Sequence, residues 1–113
     1  MKLTRPTRVE SETTFIETSS CGELRITVGL FNNKPIEVFM GLGDSGCCSA
    51  CQNEALARSI SLGLKCGVPV GEYADQLRGI RCPSPKMFPK TERILSCSDA
   101  LSSILSKYCE KVL

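Results

Sequence analysis

A strict alternation of apolar and polar residues over 23–31 constrains this chain most. Leu24, Ile26, Val28 and Leu30 fall on one side, and Glu23, Arg25 and Thr27 on the other. A repeat of two belongs to an extended strand with one face on a core and the other on water. Ile36, Val38 and Met40 alternate with Glu37 and Phe39 in the same way. Thr13 to Thr18 is a third run, rich in β-branched and aromatic residues. The separators, Ser19-Ser20-Cys21-Gly22 and Asn32-Asn33-Lys34-Pro35, are turn chemistry. Strands joined by short turns predict a three-stranded antiparallel meander.

The alternation stops at Gly41-Leu42-Gly43-Asp44-Ser45-Gly46, and the longest helix is predicted over Cys47 to Lys65. At about 100° per residue, Glu54, Arg58, Ser61 and Lys65 form one polar stripe. Cys51, Ala55, Leu62 and Cys66 lie beside it, while Leu56, Ile60 and Leu64 lie almost opposite. A helix apolar on opposite sides is expected to be buried on both, one against the sheet and one against other helices or another subunit. Gly67 suits a left-handed cap. A short second helix starts at Pro69, carries Val70, Tyr73, Ala74 and Leu77 on one face, and stops at Gly79. Three prolines between Cys82 and Pro89 exclude regular structure there. Ser96, with Asp99 three residues on, resembles a capping box opening a last helix. Its apolar face is Leu101, Ile104, Leu105, Tyr108 and Val112. The fold class expected is α+β, three strands packed with about three helices. Residues 1–12 lack periodicity and read as an extended or mobile arm before a single domain over 13–113.

Composition narrows the function. A formal charge of +2 is too small for a binder of nucleic-acid duplexes. No apolar run approaches the ~20 residues that span a bilayer, and the first residues lack the apolar core of a signal peptide. A cytoplasmic protein is expected. The chain has no histidine, which excludes Ser-His-Asp and Cys-His nucleophilic sites. Glu10, Glu12, Glu17, Glu23 and Glu37 are scattered and offer no acid/base pair. No enzymatic activity is expected.

Three sets of residues remain as candidates. The turn Gly43, Asp44, Ser45 and Gly46 feeds a helix N-terminus, whose free N–H groups suit phosphate; a plain strand-to-helix turn is the competing reading. Arg58, Arg78 and Arg81, with Arg25, carry guanidinium forks that suit phosphate. Against that, Arg58 is set to pair with Glu54 four residues before it, and Arg78 and Arg81 to answer a helix dipole. The eight cysteines include Cys48-x-x-Cys51, with no second such pair to complete a zinc site. Most are read as small buried apolar residues.

The string Ser96-Cys97-Ser98-Asp99-Ala100 resembles the Ser-Cys-Pro-Asp-Ala part of the motif naming the TSCPD domain, found in adenosylcobalamin-dependent ribonucleotide reductases. Four more pieces are similar, in order. Cys21-Gly22-Glu23-Leu24 resembles the family's Cys-Gly-x-Leu. Pro35-Ile36-Glu37-Val38-Phe39 resembles its Pro-hydrophobic-Glu-Val-Phe. Glu54 to Leu62 resembles its Glu-Ala-x-x-Arg-x-x-Ser-Leu, and Gln76 to Cys82 its Gln-Leu-x-Gly-Ile-x-Cys. Ser98 stands where the family has proline, and the family's terminal Cys-x-x-Cys tail is missing. The family's domain follows a catalytic barrel that this chain lacks. The resemblance therefore implies a stand-alone, non-catalytic accessory module that docks on a reductase subunit or binds a nucleotide. One form of the latter is a phage-type sponge that sequesters a nucleotide signal intact. Cys21, Cys82 and Cys97 fall at family motif positions and are the candidates if a zinc or redox role applies; otherwise no cofactor is expected. A homo-oligomer is expected, because one small chain cannot cover both the long helix and the sheet edges.

Overall fold

The structure is a computed structural model that describes residues 2–18, 22–43 and 48–109. Three strands, β1 (Glu10–Glu17), β2 (Glu23–Phe31) and β3 (Lys34–Leu42), pair antiparallel in the order β1-β2-β3. The β2–β3 turn is Asn32-Asn33, both at positive φ (53° and 63°). Asparagine tolerates this region and two-residue hairpin turns require it. β1 starts at Glu10, inside the segment expected as an arm, because Glu10, Ser11 and Glu12 pair with Leu30, Gly29 and Val28.

The alternation in β2 places Leu24, Ile26 and Val28 at 0% exposure. Burial of one such side chain is worth about 1.5–3 kcal/mol, a sizeable share of a small domain's net stability. Helix α1 (Cys48–Lys65) lies against this face through Ala57, Ile60 and Leu64. It ends in a Schellman motif: Gly67 at φ +99°, with Gly67 N–H bonded to Leu64 C=O and Val68 N–H to Gly63 C=O. Helices α2 (Val70–Leu77) and α3 (Cys97–Ser106) pack on each other and complete the core with Ala74, Leu77, Ala100, Leu101, Ile104 and Leu105. The buried Ser102 hydroxyl donates to Ala74 C=O at 2.6 Å. The architecture is α+β, as the patterning implied: one sheet with helices on a single face.

Two expectations change. The second apolar side of α1 is uncovered: Cys51, Ala55, Leu62 and Cys66 are exposed, since no described element crosses back over them. The edge of β3 is closed by α1 itself, which runs alongside it. Val112, assigned to the face of the last helix, lies outside the described residues, and α3 ends at Ser106.

The segment joining α2 to α3 is not featureless despite its prolines. Lys86 and Ile94 form an antiparallel bridge, and Lys90–Glu92 is a single 3-10 turn.

Candidate functional site

On an edge strand, alternate N–H and C=O groups point away from the sheet and need partners. At Val38 both are met by one side chain. The Ser61 hydroxyl accepts from Val38 N–H (2.8 Å) and donates to Val38 C=O (3.1 Å). This contact docks the polar stripe of α1 beside the outer face of the sheet. Glu54, Arg58, Ser61 and Lys65, grouped by helical spacing, therefore run along one wall of a groove.

Glu37 forms part of the opposite wall. It is 3% exposed although it sits on the polar side of β3. Room for it comes from its cross-strand neighbour Gly29, where a Cβ would stand 2.5 Å from Glu37 Cγ. Its carboxylate is gripped by Arg5 on two bonds, Nε to Oε1 at 2.7 Å and Nη2 to Oε2 at 3.0 Å. Lys65 Nζ stands 4.0 Å from Oε1. The hydrogen bond and the charge of Glu37 raise the pKa of Arg5 above its usual value. Leu3 N–H also donates to Lys65 C=O at 2.7 Å, so the N-terminal arm is tied to the end of α1. Lys2 then joins the groove lining.

The groove encloses about 440 Å³, within the ~300–1,000 Å³ typical of small-ligand sites. Its walls mix apolar and cationic groups. Phe39 and Leu62 line it while remaining 55% and 53% exposed. Lys2, Arg58 and Lys65 supply three cations, and Glu37 and Glu54 two carboxylates. Arg58 pairs with Glu54 at 3.1 Å, with both side chains well exposed. Such a pair is worth only a few tenths of a kcal/mol, so Arg58 is easily redirected to an incoming anion.

The other sequence candidates lie elsewhere. Gly43 is exposed at the end of β3, where its N–H bonds Glu23 C=O at 2.9 Å. Asp44, Ser45 and Gly46 lie outside the described residues. Arg78 caps the end of α2 and pairs with Asp75 at 3.2 Å; Arg81 is exposed in the following loop. Neither lines the groove, so of the named arginines only Arg58 belongs to it. Arg25 lies on the outer sheet face across Gly41. The described cysteines are not the buried apolar residues expected: Cys51 and Cys66 are exposed on the open flank of α1, and Cys82, Cys97 and Cys109 are half-buried. Cys21 lies outside the described residues. Among the described residues no three metal-ligating side chains cluster, and no described helix is long and apolar enough to cross a membrane.

The naming motif itself is a structural clamp. Ser96 Oγ accepts from Asp99 N–H at 3.0 Å and donates to Ile80 C=O at 2.6 Å. Asp99 Oδ1 accepts from Gly79 N–H at 2.9 Å, and Oδ2 from Leu95 N–H at 3.3 Å. The expected cap is present, with the acid reaching one residue beyond the cap position. Together the two side chains fasten the end of α2 to the start of α3. The family model of the TSCPD domain matches residues 1–109. The chain belongs to the TSCPD domain family. No curated protein and no solved structure matches it. Within this TSCPD chain, the Glu-Val-Phe and Arg-x-x-Ser-Leu segments converge on the groove, through Glu37, Phe39, Arg58, Ser61 and Leu62. Sequence reasoning missed Lys2, Glu37, Phe39 and Leu62 as lining residues. The available signal was Phe39, an aromatic on the water side of an alternating strand.

Proposed function

We propose that this TSCPD domain is a non-catalytic binding module, related to the domains associated with ribonucleotide reductases, whose α1–β3 groove takes a nucleotide-type phosphorylated small molecule. The observation that carries this reading is Phe39, more than half exposed on the groove wall opposite the loosely paired Arg58. An aromatic ring stacks on any nucleobase at about 1–3 kcal/mol, and a guanidinium meets phosphate on two bonds. Lys2 and Lys65 add positive charge at the other end of the stripe. Glu37 stays held by Arg5 beside Lys65, and Glu54, released when Arg58 turns to the phosphate, is a lone carboxylate with no acid to pair with it in acid/base chemistry. A ligand held this way is released unchanged, so accessory and sequestering roles share the same chemistry.

Calorimetry against mononucleotides, cyclic dinucleotides and ADP-ribose derivatives tests this. One class binds, and chromatography recovers it intact. Phe39→Ala and Arg58→Gln each weaken binding about tenfold or more. Absence of heat with every class, or binding that both variants retain in full, overturns the reading.

A further inference from the structure

We propose that a second copy of this chain packs against the outer face of the sheet, and that the interface extends over the outer flank of α1 to the mouth of the groove. The molecule is a slab of 40 × 37 × 20 Å with helices on one face only. It exposes 7507 Å², about 1,400 Å² more than the ~6,100 Å² expected of a compact monomer of 12.3 kDa. The bare face carries Phe15 at 60% and Phe39 at 55% exposure. Between them Thr13 and Thr27 share a hydroxyl hydrogen bond of 2.8 Å, and beside that pair the exposed Arg25 guanidinium lies over Gly41.

The pattern is self-complementary. Cross-strand register sets Thr13, Thr27 and Phe39 in one row, and Phe15, Arg25 and Gly41 in the next. A twofold axis lying in the interface, across the strands and between these rows, lays each row on the other row of the second copy. Phe39 then meets the Arg25 guanidinium that lies over Gly41, a cation on an aromatic ring, and Phe15 meets the smaller Thr13. Two aligned sheets pack in this way, and a closed pair of identical faces is the commonest assembly.

Area decides how far the contact reaches. Strands about 30 Å long at ~4.8 Å spacing give this face roughly 430 Å², whereas a stable interface takes about 800 Å² from each partner. The sheet alone falls short. The outer flank of α1, about 27 Å by 10 Å, adds roughly 270 Å² and brings the total to about 700 Å², inside the roughly 600–1,000 Å² per partner that stable interfaces span; this flank holds the exposed Leu62 and Ala55. The second copy therefore overlies the open side of the groove. Dimerisation stands on shape and area and not on the identity of the ligand; because Phe39 also lines the groove, Phe15→Glu, outside that lining, is the variant that separates the dimer from ligand binding.

Sedimentation velocity of the full chain from about 1 to 100 µM tests it. The expected mass is twice 12.3 kDa. Phe15→Glu and Phe39→Glu each raise the dimer dissociation constant by at least about 30-fold, with circular dichroism unchanged because both rings already face solvent. Phe88→Glu, at a loop residue 79% exposed, leaves the dimer intact. A wild-type mass of 12.3 kDa throughout overturns the proposal and leaves the face to a different partner. A dimer indifferent to Phe15→Glu and Phe39→Glu overturns it by placing the contact elsewhere.

Discussion

Ser61→Ala removes one oxygen and leaves two backbone groups of β3 without partners. The hydroxyl accepts from Val38 N–H at 2.8 Å and donates to Val38 C=O at 3.1 Å, with Val38 only 1% exposed. Each buried backbone group stripped of its partner costs about 1–3 kcal/mol. Water reaching the half-buried position of Ser61 reduces this, and alanine's better helix propensity returns about 0.5 kcal/mol. The net loss is about 2–3 kcal/mol, or roughly 8–15 °C in Tm for a chain of this size. Ser59 on the same helix is the control. It is exposed and its hydroxyl only donates back to Ala55 C=O at 2.9 Å, so Ser59→Ala stays within about 0.5 kcal/mol of wild type. Urea melts of the two variants, read by circular dichroism, give the comparison. A Ser61→Ala protein as stable as Ser59→Ala refutes the idea that this hydroxyl closes the sheet edge.

Asp99→Ala frees Gly79 N–H and Leu95 N–H and costs about 2–3 kcal/mol in denaturant melts; hydrogen exchange should rise first at Gly79 and Leu95. Gly29→Ala drives a Cβ into Glu37 and breaks the Arg5 clamp. Limited trypsin digestion should then cut the arm at Lys2 or Arg8, the Arg5–Pro6 bond being resistant to trypsin, sooner than in wild type, with the core intact. Tyr108 is hydrogen-bonded to Glu12, and burial, then that bond and its charge, push its pKa from 10.0 to about 12. A raised folded-state pKa favours the protonated form. Its contribution to stability is therefore full below pH 10 and is lost as pH rises from about 10 to about 12. Phenolate absorbance should show a late step near pH 12 that Tyr108→Phe removes; an unchanged profile in that variant counts against the Tyr108–Glu12 contact.

The elements were legible because each rests on local chemistry. The two-residue period places Leu24, Ile26 and Val28 inward, paired asparagines make the hairpin turn, and Gly67 and Ser96 stop and start helices where they stand. The polar stripe of α1 was legible too, since helical spacing alone aligns Glu54, Arg58, Ser61 and Lys65. What the stripe faces was not. It depends on α1 lying along the edge of β3 rather than centred under the sheet, which is a tertiary outcome. The burial of Glu37 depends on the missing side chain of Gly29 across the strand and on Arg5, 32 residues away in sequence. The second apolar side of α1 was read as buried because apolar periodicity reports what is oily, not what covers it; Leu62 stays open in the single chain.

The nucleotide groove is tested most directly by amide chemical shifts of labelled protein during titration with the ligand class that binds. Perturbations concentrated on Glu37 to Met40 and on the Glu54–Lys65 stripe are the predicted result. Shifts that gather around Arg78 and Arg81 while the groove stays silent would contradict the account and return the anion site to the end of α2.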